Sequence, residues 1–166
     1  MKIIVMSDSH GDKETVRTVS ALHADAIFHC GDSELTVEDP VLQGMHIVRG
    51  NCDSDLRFPS SFVIEVGEKR VFVVHGHEHD CKRTLLPLYY AAQEEQADIV
   101  LFGHSHLYGT EMKEGILFLN PGSTLLPRGG NEATFAVIEW DETIRISFKN
   151  LALETINEVE IKNFLN

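Results

Sequence analysis

The sequence predicts an α/β fold, a four-layer α/β/β/α sandwich in which two mixed sheets pack together with helices outside. Short β-branched runs such as residues 2–6 alternate with helical segments in the early part of the chain. The later part is richer in hairpins, one around Gly67 and one around Asp141. Because alternating strands and helices favour parallel pairing and hairpins add antiparallel pairs, both sheets are expected to be mixed.

Each element follows from a local pattern. Asp12 is a plausible N-cap for a helix over residues 14–23, and residues 85–96 have a helical composition. Apolar runs bounded by Gly, Asp, Asn and His predict the strands. These strands cover residues 2–6, 26–29, 46–48, 62–66, 70–74, 99–102, 116–119, 134–140 and 143–148.

Length and composition limit the class of protein. The 166 residues suit one domain over residues 1–166, with 43% hydrophobic and 24% charged residues. A net charge of -12 argues against broad nucleic-acid binding, which needs a basic face. The N-terminal apolar run is too short for a signal peptide, and no segment reaches membrane-spanning length. Three cysteines, an odd number, indicate reduced thiols and a cytoplasmic protein without a membrane partner.

Polar clusters follow one apolar strand after another. In an open α/β sheet the carboxyl ends of parallel strands lie along one edge, where ligands bind. Five strand ends therefore converge on one predicted site, and they carry Asp8 and His10, Asp32, Asn51, His75 and His77, and His104 and His106.

The residue types in this set are metal ligands. Imidazole and carboxylate suit Mn, Fe, Zn, Ni or Co, whereas no cysteine pair has the spacing of a zinc finger. The seven candidate ligands, which are this set without His77, are too many for one ion and suit two ions about 3.5–4 Å apart with a bridging carboxylate. Two divalent ions against Asp8 and Asp32 leave a positive surplus that matches a phosphate ester and a hydroxide. Hydrolysis of a phosphoester by a metal-activated hydroxide fits this chemistry best.

The order of these clusters resembles the calcineurin-like metallophosphoesterases. That family's motifs D-x-H, G-D, G-N-[HC]-[DE], a His beside a glycine, and G-H-x-H occur here in order. They are Asp8-Ser9-His10, Gly31-Asp32, Gly50-Asn51-Cys52-Asp53, His75-Gly76-His77 and Gly103-His104-Ser105-His106. The short length and the NPGS sequence at residues 120–123 resemble the small bacterial and archaeal phosphodiesterase branch, which is related to the retromer scaffold subunit.

The resemblance implies a metallophosphoesterase-like fold and a role for each ligand. One ion would be held by Asp8, His10, Asp32 and His106. The other would be held by Asp32, Asn51, His75 and His104, with Asp32 bridging. Manganese is the expected metal, with nickel, zinc, iron or cobalt as alternatives.

Three further residues keep two interpretations each. Cys52 stands where many family members have a histidine that helps the leaving group depart. We expect this thiol to fill space rather than to donate a proton, and His77 or His79 could take over that role. His77 is either a substrate or ligand contact or a turn residue, and Asp53 either orients a ligand or closes a turn.

The function predicted from the sequence is a metal-dependent phosphodiesterase acting on a small phosphodiester. The alternatives are a phosphomonoesterase or protein phosphatase, and a non-catalytic protein-binding scaffold of the same fold. The short chain leaves little room for a protein-specific groove, and every expected ligand is present, so an enzyme is favoured. Small domains with hairpin edges often pair symmetrically, which makes a homodimer an open expectation.

Overall fold

The computed structural model describes residues 1–162 and contains eleven strands and two α-helices in that range. In chain order the elements are β1 Lys2–Met6, α1 Lys13–Ser20, β2 Ala26–His29, β3 His46–Ile47, β4 Ser61–Val66, β5 Lys69–Val74, α2 Leu86–Glu94, β6 Ile99–Leu101, β7 Gly109–Lys113, β8 Ile116–Asn120, β9 Thr134–Trp140, β10 Ile144–Asn150 and β11 Thr155–Ile161. Short 3-10 turns lie at Pro40–Leu42 and His77–His79.

Both sheets are mixed. The first has the order β11-β10-β9-β1-β2-β3, with β1 parallel to β2 and antiparallel to β9. The second has the order β4-β5-β6-β8-β7, with β6 parallel to both β5 and β8. The carboxyl ends of β1, β2, β5, β6 and β8 are therefore available to meet at one edge of the molecule.

Alternation along the strands divides the core into three layers. Ile3 and Val5 of β1 face the second sheet in a shared inter-sheet core, whereas Ile4 and Met6 face the layer that contains α1. In the second sheet, Phe72 of β5 points away from this shared core into a cluster with Leu88 of α2. These layers confirm the four-layer sandwich of two mixed sheets with few helices.

The α1 helix begins at Lys13, one residue before the predicted start and directly after the predicted N-cap. Asp12 caps it, because its carboxylate accepts hydrogen bonds from the backbone nitrogen and the hydroxyl of Thr15. Val16 and Val19 lie on its buried face. The helix ends at Ser20, three residues before the predicted end, because Ala21 already occupies the C-cap.

Two strands were not predicted. The β7 segment is short and mostly polar, and as an edge strand it buries little side-chain surface. The β11 strand contains most of the acidic stretch 154–160 and pairs with β10 at the edge of the first sheet. Its side chains are largely exposed, so solvation and strand structure coexist there. Residues 163–166 of the predicted domain lie outside the described residues.

Two global features agree with the sequence. Within residues 1–162, no helix has both the length and the apolar character needed to cross a bilayer. All three cysteines are free thiols, with Cys30 and Cys81 buried and Cys52 exposed.

The inter-sheet core should control stability. Leu117 is fully buried between the sheets, and replacement by alanine should lower the free energy of unfolding by about 2–5 kcal/mol because it leaves a cavity. Leu56 is 77% exposed, so Leu56→Ala is the matched control and should change stability by less than about 0.5 kcal/mol. Urea unfolding measures both, and equal losses would contradict the assigned core.

Candidate metal centre

The predicted ligands meet at the edge formed by the strand ends. Three groups of side chains offer ligand atoms that lie within 4.8 Å of one another: two contain Asp8, and the third consists of His10, Glu34 and Cys52. Of the two groups with Asp8, the first contains Asp8, His10 and His106, and the second contains Asp8, Asp32 and His75. Residues separated by up to 98 positions in the chain therefore share one small region.

The first group surrounds one oxygen of Asp8. The Oδ1 atom lies 3.1 Å from Nε2 of His106 and 3.9 Å from Nε2 of His10. The two imidazole Nε2 atoms are 3.5 Å apart. Three ligand atoms therefore point at one common space.

The second group centres on His75. Its Nε2 lies 3.2 Å from Oδ2 of Asp32, 3.1 Å from Oδ1 of Asn51 and 3.9 Å from Oδ1 of Asp8. His75 is fully buried, so this arrangement is fixed by packing on all sides.

His104 and His77 lie on the open side of the second group. The ring of His104 is 5.1 Å from that of His75, and His77 is 5.3 Å from His75 and 6.1 Å from His104, measured between centroids. His104 thus lies next to the predicted second ion position, and His77 lies at a similar distance from the ring of His75.

Asp8 is the carboxylate that the two groups share. The resemblance assigns the bridging role to Asp32, whereas in the structure Asp32 contacts His75 and Asp8 reaches His10, His75 and His106. Both carboxylates face the same region, and the bridging role of Asp32 stays a prediction.

Hydrogen bonds fix the direction of three imidazoles. The Nδ1 atom of His75 donates to the carbonyl of Cys30 at 2.7 Å, and that of His106 donates to the carbonyl of Leu126 at 2.7 Å. The Nδ1 atom of His10 donates to Glu34 at 2.9 Å. In each neutral ring Nε2 then carries the lone pair, which is the state that a metal ligand requires.

Asp53 organises the backbone below the site. Its carboxylate accepts hydrogen bonds from the backbone nitrogens of Asp32, Gly50 and Glu34, at 2.8, 2.7 and 2.7 Å. One carboxylate therefore both closes the turn at Gly50 and holds the backbone of Asp32. The two interpretations of Asp53 from the sequence are both found in the structure.

Backbone strain is concentrated in the predicted ligands. Positive φ angles occur at Asp8, His10, Asp32, His104 and His106, with values from 43° to 68°. Residues with a side chain rarely adopt this left-handed conformation, and it costs on the order of 1 kcal/mol or more each. Such strain persists only where the surrounding structure enforces it, which is typical of functional sites.

Two glycines allow the ligand loops to pack closely. A Cβ atom at Gly50 would collide with the carboxylate of Asp32, and one at Gly103 would collide with Ser7 and Asp8. Neither glycine has a positive φ, so their requirement is one of space. Both positions require glycine because the backbone approaches the ligand carboxylates too closely to leave room for a side chain.

Charges in the site shift the pKa values in opposite directions. Burial would raise the pKa of Asp8, but its contacts with His106, His75 and Ser7 outweigh burial and hold the pKa below its usual value. Burial would lower the pKa of His75, but Asp32 and Asp8 raise it. The pKa of His106 is raised by Asp8. Burial and the positive charges of His75 and Lys82 lower the pKa of His104 to about 4.

Cys52 lies beside the centre without entering a strong interaction. Partial desolvation and the negative charge of Asp32 raise the pKa of the thiol to about 11. The protein's own groups around Cys52 therefore disfavour the thiolate. The backbone nitrogen of Cys52 donates to Asp32 at 2.8 Å, which is a contact that any side chain at this position would preserve.

His29 lies close to the centre but outside the ligand set. Its Nδ1 accepts a hydrogen bond from the backbone nitrogen of Gly31, and its Nε2 lies 2.8 Å from the hydroxyl of Ser9. Complete burial lowers its pKa to about 4. The imidazole is therefore a neutral structural group behind the site.

Sequence reasoning missed three groups that hold the ligands. Glu34 orients His10, the hydroxyl of Ser7 donates to Asp8 at 2.6 Å, and the carbonyl of Leu126 accepts from His106. Ser7 directly precedes Asp8, and this adjacency was an available signal. Glu34 and Leu126 gave no signal in the sequence. The position of Glu34 depends on its positive φ of 56°, and Leu126 acts through its backbone carbonyl.

The donor set fits divalent cations. The Oδ1 atom of Asp8 is buried, and within residues 1–162 it accepts no well-aligned hydrogen bond. A buried carboxylate oxygen in this state is costly unless a cation compensates it. The imidazole Nε2 atoms around it and the amide oxygen of Asn51 complete a mixed nitrogen and oxygen set suited to borderline metals.

Comparison with known proteins decides the family. The family model for the calcineurin-like phosphoesterase superfamily domain matches residues 1–143. The chain belongs to this superfamily. The strand-end motifs identified from the sequence, from Asp8 to His106, all lie within the matched region.

Similar sequences carry phosphoesterase names. The chain is 41% identical over 141 residues to the probable metallophosphoesterase YsnB of Bacillus subtilis, covering 83% of each chain. It is 34% identical over 102 residues to the phosphodiesterase YfcE of Escherichia coli, covering 57% of this chain and 52% of that protein.

Solved structures agree with the fold. A predicted phosphoesterase from Streptococcus pneumoniae superposes with a TM-score of 0.92 at 39% identity, with 96% of each chain covered. The Vps29 protein of Entamoeba histolytica superposes with a TM-score of 0.77 at 20% identity, covering 97% of this chain and 98% of that one. At that identity the second likeness concerns the fold alone.

Close glycine packing should be required for the centre. Gly103→Ala should abolish tight metal binding and lower the free energy of unfolding by about 1–3 kcal/mol, because the new methyl group displaces Ser7 and the carboxylate of Asp8. Metal titration followed by calorimetry, together with urea unfolding, measures both effects.

Gly109→Ala is the matched control for this substitution. Gly109 also has no positive φ, and a Cβ atom there meets nothing within 4 Å. It should retain wild-type stability and metal binding. Equal metal affinity in the two alanine variants would contradict the assigned packing.

Proposed function

We propose that this protein is a metal-dependent phosphodiesterase that uses two divalent ions, with Mn(II) as the first candidate. The observation that carries the proposal is the buried Oδ1 atom of Asp8, which accepts no well-aligned hydrogen bond within residues 1–162 and lies 3.1–3.9 Å from the Nε2 atoms of His10, His75 and His106. Membership of the phosphoesterase superfamily supports hydrolysis of a phosphate ester at this place.

The proposed ligand sets are those that the resemblance implies. One ion would be held by Asp8, His10, Asp32 and His106, and the other by Asp32, Asn51, His75 and His104. When bound, two such ions would supply Lewis acidity and lower the pKa of water between them. The protein's own groups would orient the ligands and contact the substrate.

Those groups fix positions before the substrate arrives. Cys30, Leu126 and Glu34 hold the three imidazoles with Nε2 facing inward. Asp53 fixes the backbone of Asp32 and Glu34. Preorganisation of this kind is effective because no reorganisation is needed during the reaction.

His77 is suited to contact the substrate. Its ring lies 5.3 Å from that of His75 and 6.1 Å from that of His104, and it is half-buried rather than enclosed. Its Nδ1 has no hydrogen-bond partner among the described residues. A phosphate oxygen bound between the two rings would be within reach of a hydrogen bond from His77.

A diester is favoured over a monoester by the name of a relative rather than by charge, because the positive surplus of two divalent ions would also match a dianionic monoester. The relative YfcE is named a phosphodiesterase. The alternative, a phosphomonoesterase or protein phosphatase, would require the opposite substrate preference.

A protein-binding scaffold is the second candidate function. The likeness of the fold to Vps29 is the reason for considering a scaffold. One Vps29 structure is described as complexed with zinc, so the fold occurs with a bound metal in that protein. Against a purely structural role, all seven predicted ligands are present and arranged around one oxygen of Asp8 and one ring of His75.

The activity test uses chelator-stripped protein with Mn(II) added back. We expect hydrolysis of bis(p-nitrophenyl) phosphate to exceed that of p-nitrophenyl phosphate, and elemental analysis to find about two ions per chain. His75→Ala should lose activity by at least about 100-fold, because its Nε2 contacts Asp32, Asn51 and Asp8.

His23→Ala provides the control, because His23 is an exposed histidine away from the centre. It should retain wild-type turnover. Faster hydrolysis of the monoester would assign a phosphatase instead. Absence of turnover with Mn(II), Ni(II), Zn(II) and Co(II) would favour the scaffold.

His77→Ala separates substrate contact from metal ligation. The variant should retain about two ions per chain and lose about 10–100-fold in kcat, because a hydrogen bond to the substrate is removed while the ligands stay. Elemental analysis beside steady-state kinetics measures the two effects. Loss of one ion would make His77 a ligand, and unchanged kcat would make it a turn residue.

A further inference from the structure

A cavity of about 380 Å³ opens beside the metal centre. It lies between the segment that leads into α2 and the beginning of β7, at the strand edge that carries the predicted ligands. The residues that define it are Lys82, Leu85, Phe102, Ser105, Leu107 and Glu111. Its volume falls in the range of cavities that bind small organic molecules, about 300–1,000 Å³.

The cavity and the metal centre share one wall. Ser105 lines the cavity, and the residues on either side of it are the predicted ligands His104 and His106. Asn120 fixes this wall, because its amide donates to the carbonyl of Gly103 at 2.9 Å and to the hydroxyl of Ser105 at 3.0 Å. A molecule bound at the metals could therefore extend over this loop into the cavity.

The floor of the cavity is apolar. Phe102 is nearly buried, Leu85 is half-buried, and Leu107 is 46% exposed at the mouth. An exposed leucine beside a cavity offers apolar area to a ligand at little cost to the fold. This floor suits a ring system better than a charged group.

Two groups of opposite charge stand at the rim. Lys82 and Glu111 are exposed, and neither side chain makes a hydrogen bond or an ion pair with any residue in the described range 1–162. An unpaired ammonium group attracts an anionic oxygen, and an unpaired carboxylate accepts from hydroxyl or N–H donors. The rim thus offers one partner for phosphate and one for donors on the attached organic group.

We propose that this cavity is the subsite for the non-leaving group of the diester, and that it selects a ring-bearing ester of up to about nucleoside size that carries hydroxyl or N–H donors. The ring would lie on Leu85, Phe102 and Leu107. Glu111 would accept from its donors, and Lys82 would contact the phosphate side. This inference rests on the proposed phosphodiesterase function and adds its specificity.

The kinetic test varies the non-leaving group and keeps the leaving group constant. Three diesters of p-nitrophenol are compared with the Mn(II)-loaded protein: the methyl ester, the phenyl ester and the ester of thymidine monophosphate. The thymidine ester should exceed the methyl ester in kcat/KM by about tenfold or more, with the phenyl ester between them. Since all three release p-nitrophenolate, the differences report binding of the non-leaving group.

Exposed cavity residues give variants that should fold normally. Leu107→Ala should reduce the preference of the thymidine and phenyl esters over the methyl ester by about threefold or more. Glu111→Gln should affect the thymidine ester alone, because phenyl carries no donor. Lys82→Ala should raise KM for the thymidine ester. Glu94→Gln and Lys162→Ala, which are exposed elsewhere, serve as controls.

The outcomes separate the subsite from the proposed function. Equal preferences in wild type and all cavity variants, or parallel losses for the three esters, would overturn the subsite while hydrolysis itself stands. If no ester is hydrolysed, the proposed function fails, and the subsite is tested by NMR titration of chelator-stripped protein with thymidine monophosphate. This ligand should shift the backbone amide resonances of Lys82, Leu107 and Glu111, and unchanged resonances at these residues would overturn the subsite.

Discussion

The buried carboxylate of Asp8 is the constraint on which the rest of the structure depends. It lies two residues beyond the end of β1, which pairs with both β2 and β9 near the middle of the first sheet. One oxygen accepts from the hydroxyl of Ser7 and the backbone nitrogen of His104, so this oxygen ties the first sheet to the loop after β6. The other oxygen is left for the imidazoles and for a cation. A buried charge of this kind is tolerated only when every surrounding group is arranged for it.

The arrangement of the ligands requires a strained backbone, and this strain explains why side chains from distant parts of the chain hold the ligand turns in place. Asp8, His10, Asp32, His104 and His106 all adopt left-handed φ angles, which direct consecutive ligands into one space. The carboxylate of Asp53 and the hydroxyl of Ser123, which donates to the carbonyl of Asp8 at 2.7 Å, hold these turns in place. Stability and metal binding are therefore coupled here, because a change that relaxes the turns also moves the ligands.

The sequence predicted what is local and periodic, and failed where structure depends on distant partners. Strand ends rich in Asp, His, Asn and Gly were found because each cluster follows a recognisable apolar run. The β7 and β11 strands carried no such signal, since edge strands bury little and can be polar. The carbonyl of Leu126 was invisible for a different reason. The tertiary fold brings His106 to this carbonyl. Because every residue has a backbone carbonyl, the identity of residue 126 gives no sign of this hydrogen bond.

Position 52 shows why a site can keep its geometry while one side chain departs from the family pattern. The backbone nitrogen of Cys52 holds Asp32, and Asp53 holds the surrounding turn, so neither interaction depends on the thiol. The Sγ atom is a weak partner for the amide nitrogen of Asn51 at 3.5 Å, which leaves the amide oxygen directed at His75. A small side chain at this position thus supports the ligand set, as expected for a space-filling role. The proposed subsite therefore assigns selectivity to the cavity lined by Ser105, since residue 52 contributes only a small thiol beside Asp32.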